Sequence, residues 1–255
     1  MNTMGLKVSN SRLQFNPEYA AATLGQNVSI PTANDVFELR RIGNNMLENM
    51  TRHISTPDGI IQTDIPFQSH DSTSINLRRF TTETKIRKNI AEPAVLYVHG
   101  GGMVSGSVDL YSPIIASLAK DYDISFFAVD YRLAPENKGP NLAEDVFAGL
   151  KHLSDNAEKY NIDPKRIAIM GDSAGGGLAA AAALLARDRA LDPPLAKQVL
   201  IYPMLDDRTK LPENAGYRNL LLWTEDANSM GWGAVLGNDI AGDPEARVSI
   251  YAAPV

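Results

Sequence analysis

Apolar positions in the first part of the chain recur at three- and four-residue spacing. Val36, Leu39, Ile42, Met46, Leu47 and Met50 share one face, which predicts an amphipathic helix over residues 33–52. Thr32 or Asn34 is the candidate cap at its start. The period then changes. Residues 60–67 and 74–80 read as two strands joined by the polar loop His70-Asp71-Ser72-Thr73. From residue 94 short apolar runs alternate with helical segments. The strands are Ala94–Val98, Ile124–Val129, Ile167–Met170 and Val199–Tyr202, and the helices fall at 112–120, 141–154 and 175–187. Near-continuous apolar strands alternating with helices predict an α/β protein whose mostly parallel sheet is covered on both faces. Residues 213–255 break the pattern. They are rich in Gly, Asn and Asp, with one helical stretch around Leu220 to Leu236.

Composition narrows the function classes. With 255 residues the chain is long enough for one large domain with a sizeable core. A net charge of -6 argues against a nucleic-acid footprint, which needs a basic patch. No apolar run is long enough to span a membrane, and Met1–Lys7 has no apolar leader core, which predicts a cytoplasmic protein. With no cysteine there is no disulfide, thiol catalysis or cysteine-based metal site.

Two glycine motifs carry the chemistry. Gly171-Asp172-Ser173-Ala174-Gly175 is a G-x-S-x-G between the strand ending at Met170 and an alanine-rich helix. Such a motif arises by chance in about one chain in ten, so its context discriminates. Strand, sharp turn and helix are what a nucleophile elbow needs to expose Ser173 at its apex. The plain alternative is a glycine-rich phosphate-binding turn with Ser173 as a helix cap. The second motif weighs against that alternative. His99-Gly100-Gly101-Gly102 follows the strand ending at Val98, and its bare N–H groups suit the oxyanion of a tetrahedral intermediate. The N–H of Ala174 is the natural further donor. His99 is expected to brace the glycine loop, not to act as a base. A third motif, Asp130-Tyr131-Arg132-Leu133-Ala134-Pro135-Glu136, is expected to hold the loop under the site through an Arg132–Glu136 pair.

Together, His99–Gly102, Tyr131–Glu136 and Gly171–Gly176 resemble the hormone-sensitive-lipase-like family of α/β-hydrolases, the branch with a G-D-S-A-G-G elbow. Tyr202–Asp206 and Ser249–Pro254 are similar to later segments of that family. The resemblance covers roughly residues 60 to 255. It implies an α/β-hydrolase fold and carboxylic ester hydrolysis without cofactor or metal, on a small-molecule ester with a short acyl chain. Ser173 is then the nucleophile, Gly101, Gly102 and Ala174 the oxyanion donors, and His99, Gly100 and Asp172 their motif support. It also implies residues 1–55 as an N-terminal helical cap, 56–212 as the core and 213–255 as a cap excursion.

The chain departs from the family in one respect. The four histidines, His53, His70, His99 and His152, all precede Ser173, whereas the usual order in this fold is Ser, acid, His. The family's acid and histidine segments follow the last segment matched here, so the last strand–helix units, on the order of 60 residues, are expected to be missing. Asp206 and Asp207 are the acids nearest a strand end, and His53 and His152 the remaining candidate bases. Three functions stay open: an esterase with an impaired triad, a non-catalytic ligand-binding relative, and an enzyme repurposed for another acyl-transfer or cyclisation step. The strand Val199–Tyr202 is expected to form a sheet edge that favours a homodimer or aggregation.

Overall fold

Helix α1 (Val36–Thr51) starts at Asp35, whose carboxylate accepts from the N–H groups of Phe37 and Glu38. The cap is thus neither Thr32 nor Asn34. Asn34 lies one residue too early and instead donates to the Glu38 carboxylate from both its backbone and its side chain. The computed structural model describes residues 18, 32–88, 90–215, 217–218 and 221–255. Apart from Glu18, the proposed cap segment before Thr32 lies outside them.

Strands β1 (Ile60–Gln68) and β2 (Ser74–Thr82) form an antiparallel hairpin, followed by the short helix α2 (Glu83–Lys88). Strand β3 (Glu92–Val98), helix α3 (Val108–Asp121), strand β4 (Ser125–Val129), helix α4 (Asn141–Asp155), strand β5 (Ile162–Asp172), helix α5 (Ala174–Asp188) and strand β6 (Lys197–Ile201) follow. Helix α6 (Glu225–Leu236) comes last, capped by the Thr224 hydroxyl. Helix α3 begins four residues before the apolar pattern suggests, because the Ser107 hydroxyl caps it.

The sheet has the order β1-β2-β4-β3-β5-β6. β2 joins β4 antiparallel, and β4, β3, β5 and β6 run parallel. The α/β-hydrolase architecture expected from the sequence is therefore present. Leu96, Val98, Phe127, Val129, Ile167 and Ile169 face α4 and α5, and all are essentially sealed from solvent. Phe80, Tyr97, Phe126 and Ala128 face α3 on the other side. Burial on both faces explains why these strands read as continuous apolar runs. β1 and β6 are the two edges, and β6 is the more exposed, with Val199 42% accessible.

Parallel strands place all their C-terminal ends on one side of the sheet. The segments after β3 and β5 therefore emerge side by side, as in the open α/β sheets that bind ligands at that edge. Helix α1 packs on α3 and α6 above this edge.

Candidate active site

Ser173 follows β5 directly and adopts φ 53°, ψ -120°, outside the helical and strand regions. A non-glycine residue costs on the order of 1–3 kcal/mol in such a conformation and keeps it only when its surroundings enforce it. Here three backbone bonds do so. The Ser173 N–H donates to Ile201 O at 2.9 Å, and its carbonyl accepts from Met204 N at 2.8 Å and Gly177 N at 3.1 Å. The turn also needs its flanking glycines. A Cβ on Gly175 would run into the carbonyl of Val98, and one on Gly171 into the carbonyl of Gly175.

Asp172 is buried and points at two phenols. Tyr97 donates to its Oδ1 at 2.7 Å and Tyr111 to its Oδ2 at 3.1 Å. Burial, reinforced by the Asp172 charge, pushes both phenols well above the ordinary 10.0, so they stay protonated donors.

The loop after β3 turns through Gly101 (φ 120°), Gly102 (φ 62°) and Met103 (φ 64°). The carbonyl of Gly101 accepts from the N–H groups of Val104 and Ser105 and from the Ser105 hydroxyl. No acceptor among the described residues takes the N–H of Gly101, Gly102 or Ala174. The Trp223 ring lies directly over Gly102, where it leaves no room for a Cβ, and its indole N–H donates to Asn228 at 3.2 Å.

His99 is buried behind this loop. Its Nδ1–H donates to Gly100 O at 2.8 Å, its ring stacks on Tyr131 at 4.3 Å, and Tyr131 in turn donates to the His99 carbonyl. Burial lowers its pKa below 6.5, so the ring is neutral and Nε2 is a sealed lone pair without a partner. His99 is placed to hold the loop, not to exchange protons with a substrate.

A cavity of about 340 Å³ opens above Ser173, inside the range of about 300–1,000 Å³ typical of small-molecule sites. Ser173, Asp172 and Gly101 line its floor. Leu39, Ile42, Met46 and Met50 of α1 and Leu222, Trp223 and Met230 form its apolar walls. Gly102 lies beneath Trp223, Ala174 is buried in the first turn of α5, and Gly100 sits behind the loop against Asp172 and Tyr111.

None of the histidines lines the cavity. His53 is exposed just beyond α1 and accepts from Arg52 at 3.0 Å. His70 and His152 lie in a groove with Phe67, away from Ser173. Asp206 pairs with Arg208, and the buried Asp207 accepts from Gly242 N at 2.7 Å. Among the described residues no cluster of three metal-ligating side chains occurs.

The pairing expected between Arg132 and Glu136 is not formed. Arg132 donates to the fully buried Asp145 at 2.7 and 2.8 Å and to Asp71 at 2.7 Å. An unpaired carboxylate at that depth costs several kcal/mol, so Asp145 claims the guanidinium. Glu136 is held instead by Arg40 of α1 in a bidentate pair at 2.7 and 2.8 Å. Arg40 also donates to Val104 O at 2.6 Å and Ala134 O at 2.7 Å, while Asn44 accepts from Gly106 N at 2.8 Å. In the sequence these contacts show only as Arg40 and Asn44, four residues apart beside the apolar stripe of α1.

Residues 95–254 match the family model described as the α/β-hydrolase fold. The chain belongs to this family, in its hormone-sensitive-lipase-like branch. This α/β-hydrolase is similar to carboxylesterase NlhH of Mycobacterium tuberculosis, with 42% identity over 133 residues, 51% of this chain and 41% of that protein. It is also similar to an ethyl acetate hydrolase of Pseudomonas putida, with 40% identity over 129 residues, 50% of this chain and 40% of that one. The matched stretch thus spans about two fifths of these curated relatives. Among solved structures it resembles the bacterial heroin esterase, with TM-score 0.79 and 32% identity over 94% of this α/β-hydrolase and 74% of that chain. Among the described residues no helix is long and apolar enough to cross a membrane.

Proposed function

We propose that the chain hydrolyses small carboxylic esters through Ser173, as the names of its relatives suggest for those proteins. The Ser173 oxygen attacks the ester carbonyl, the negative charge gathers on the carbonyl oxygen, and the intermediate collapses to an acyl-serine as the alcohol leaves with the serine proton. Water then cleaves the acyl-serine to the acid and restores Ser173. The N–H groups of Gly101, Gly102 and Ala174 are the donors assigned to that oxygen. The substrate's acyl or alcohol part fills the apolar space between α1 and Trp223, and the modest cavity favours short chains. No metal or organic cofactor enters this scheme. The observation that carries the proposal is the juxtaposition of a strained serine with a glycine loop in which the N–H groups of Gly101 and Gly102 meet no acceptor among the described residues.

Proton transfer is the weak step. No histidine lines the cavity among the described residues, so Ser173 has no imidazole there to take its proton. Losing triad members lowers kcat by about 10⁴ to 10⁶, while oxyanion hole and binding retain about 10³ to 10⁴ over water. Hydrolysis of p-nitrophenyl acetate and butyrate is therefore expected to be slow and to depend on Ser173. Ser173→Ala is the control, and hydrolysis at wild-type rate by that variant would rule the proposal out.

The same lack of a cavity histidine favours one second reading, a protein that keeps the cavity as a ligand-binding site without turnover. In that case Ser173→Ala leaves both trace hydrolysis and ligand binding unchanged.

A further inference from the structure

Helix α1 does two things at once. Its apolar face walls the cavity, and Arg40 and Asn44 reach the loop after β3. Arg40 is mostly buried and satisfies its guanidinium on Val104 O, Ala134 O and both oxygens of Glu136. One turn on, Asn44 accepts from Gly106 N. These contacts hold the loop just past three successive residues at positive φ, Gly101, Gly102 and Met103. Glycine adopts positive φ freely, so Met103 is the residue of the three whose conformation its surroundings must hold, and its carbonyl accepts from Ala134 N at 2.9 Å. The loop's own bonds, from Val104 and Ser105 to the Gly101 carbonyl, close only its rear half.

We propose that Arg40 and Asn44 are positioning residues, through which the docking of α1 sets the glycine loop and presents the N–H groups of Gly101 and Gly102 to the site of Ser173. This rests on the esterase reading above and deepens it. Neither residue touches substrate. The face of α1 that carries Leu39, Ile42 and Met46 walls the cavity, so the helix that meets the ligand is also the one that holds the loop. Without Arg40, the carbonyls of Val104 in this loop and of Ala134 in the segment after β4 lose their donor.

The test uses the full chain with Arg40→Met, Arg40→Lys and Asn44→Leu, and Arg41→Ala as a control on the exposed side of the same helix. Hydrogen exchange is read at the amides of Val104, Ser105 and Gly106, and kcat and KM are read separately for p-nitrophenyl butyrate. Arg40→Met is expected to speed exchange at these amides about tenfold or more, the effect of losing a hydrogen bond of ordinary net strength. It is expected to lower kcat by about 10²-fold, as loss of an oxyanion donor does, with KM changed far less. Arg40→Lys keeps the charge but not the fork and falls between. Arg41→Ala matches wild type. Folded Arg40→Met and Asn44→Leu proteins with wild-type exchange and unchanged kcat would overturn the proposal. If instead Ser173→Ala hydrolyses as fast as wild type, the esterase reading fails, and the clamp is then decided by exchange at the three loop amides alone.

Discussion

Asp172 hydrogen-bonds two phenols and no imidazole, so its place beside the nucleophile is a matter of architecture. Through Tyr97 it reaches β3, and through Tyr111 it reaches α3, tying the elbow to both. Asp172→Ala strands two buried hydroxyls and removes a charged acceptor, which is expected to cost about 2–4 kcal/mol. Denaturant unfolding checks this, with Tyr97→Phe as the milder comparison. Gly175→Ala acts by a different route, forcing a methyl into the Val98 carbonyl and separating β3 from α5. It is expected to destabilise by more than about 1 kcal/mol, since the obstacle is backbone and cannot rotate away. At this scale the serine and the glycines were legible, because steric needs restrict their positions to one residue type. The partners of Arg132 and Glu136 were not. Their four-residue spacing suggests a pair, yet a deeply buried Asp145 and a helix 96 residues away outcompete it. The pull of a buried charge depends on depth, and depth has no local pattern.

The elements were mostly legible as well, since a sheet covered on both faces leaves apolar runs and a surface helix leaves a stripe. Their ends were less so. The start of α3 depends on Ser107, and the lower part of β5 carries Asp163, Lys165 and Arg166, which mask its strand character. The seat of α1 is the element-level feature with a measurable pH signature. Its Arg40–Glu136 pair pulls the Glu136 carboxyl from 4.5 down to about 2. A depressed carboxyl contributes stability that is complete above about pH 4.5 and is lost as pH falls towards 2. Docking of α1 is therefore expected to weaken over that window, ahead of the sheet. The Glu136 side chain is about half exposed, so the effect is small, and ionic strength reduces it further. Far-UV and near-UV circular dichroism of wild type and Glu136→Gln between pH 5 and 2 separates the outcomes. If both proteins lose tertiary signal along the same curve, the pair has no part in seating the helix.

At the largest scale, the sheet of the described residues ends at β1 on one side and at β6 on the other. β1 closes one flank as the outer half of a hairpin, with Pro66 among its residues. β6 bonds β5 on one side, and among the described residues no strand pairs with its other side. Its row of free N–H and C=O groups carries the exposed Val199 beside Lys197 and Gln198. Natural edges are usually shortened, charged or covered, because an open edge templates pairing with another strand. Five residues and a single lysine give this one modest protection. Two copies meeting edge to edge about a twofold axis would extend the sheet through paired β6 strands, an isologous contact that closes on itself. We therefore expect the chain to self-associate at micromolar concentration, and Val199→Lys to suppress it by placing like charges opposite one another across the new ladder. Light scattering against concentration reads the result directly. Ser173 is bonded to Ile201 of β6 and to Met204 just after it, so the turn that carries the nucleophile is anchored to this edge strand. A wild-type protein that stays monomeric throughout, with Val199→Lys indistinguishable from it, would mean that the edge is protected well enough as it stands.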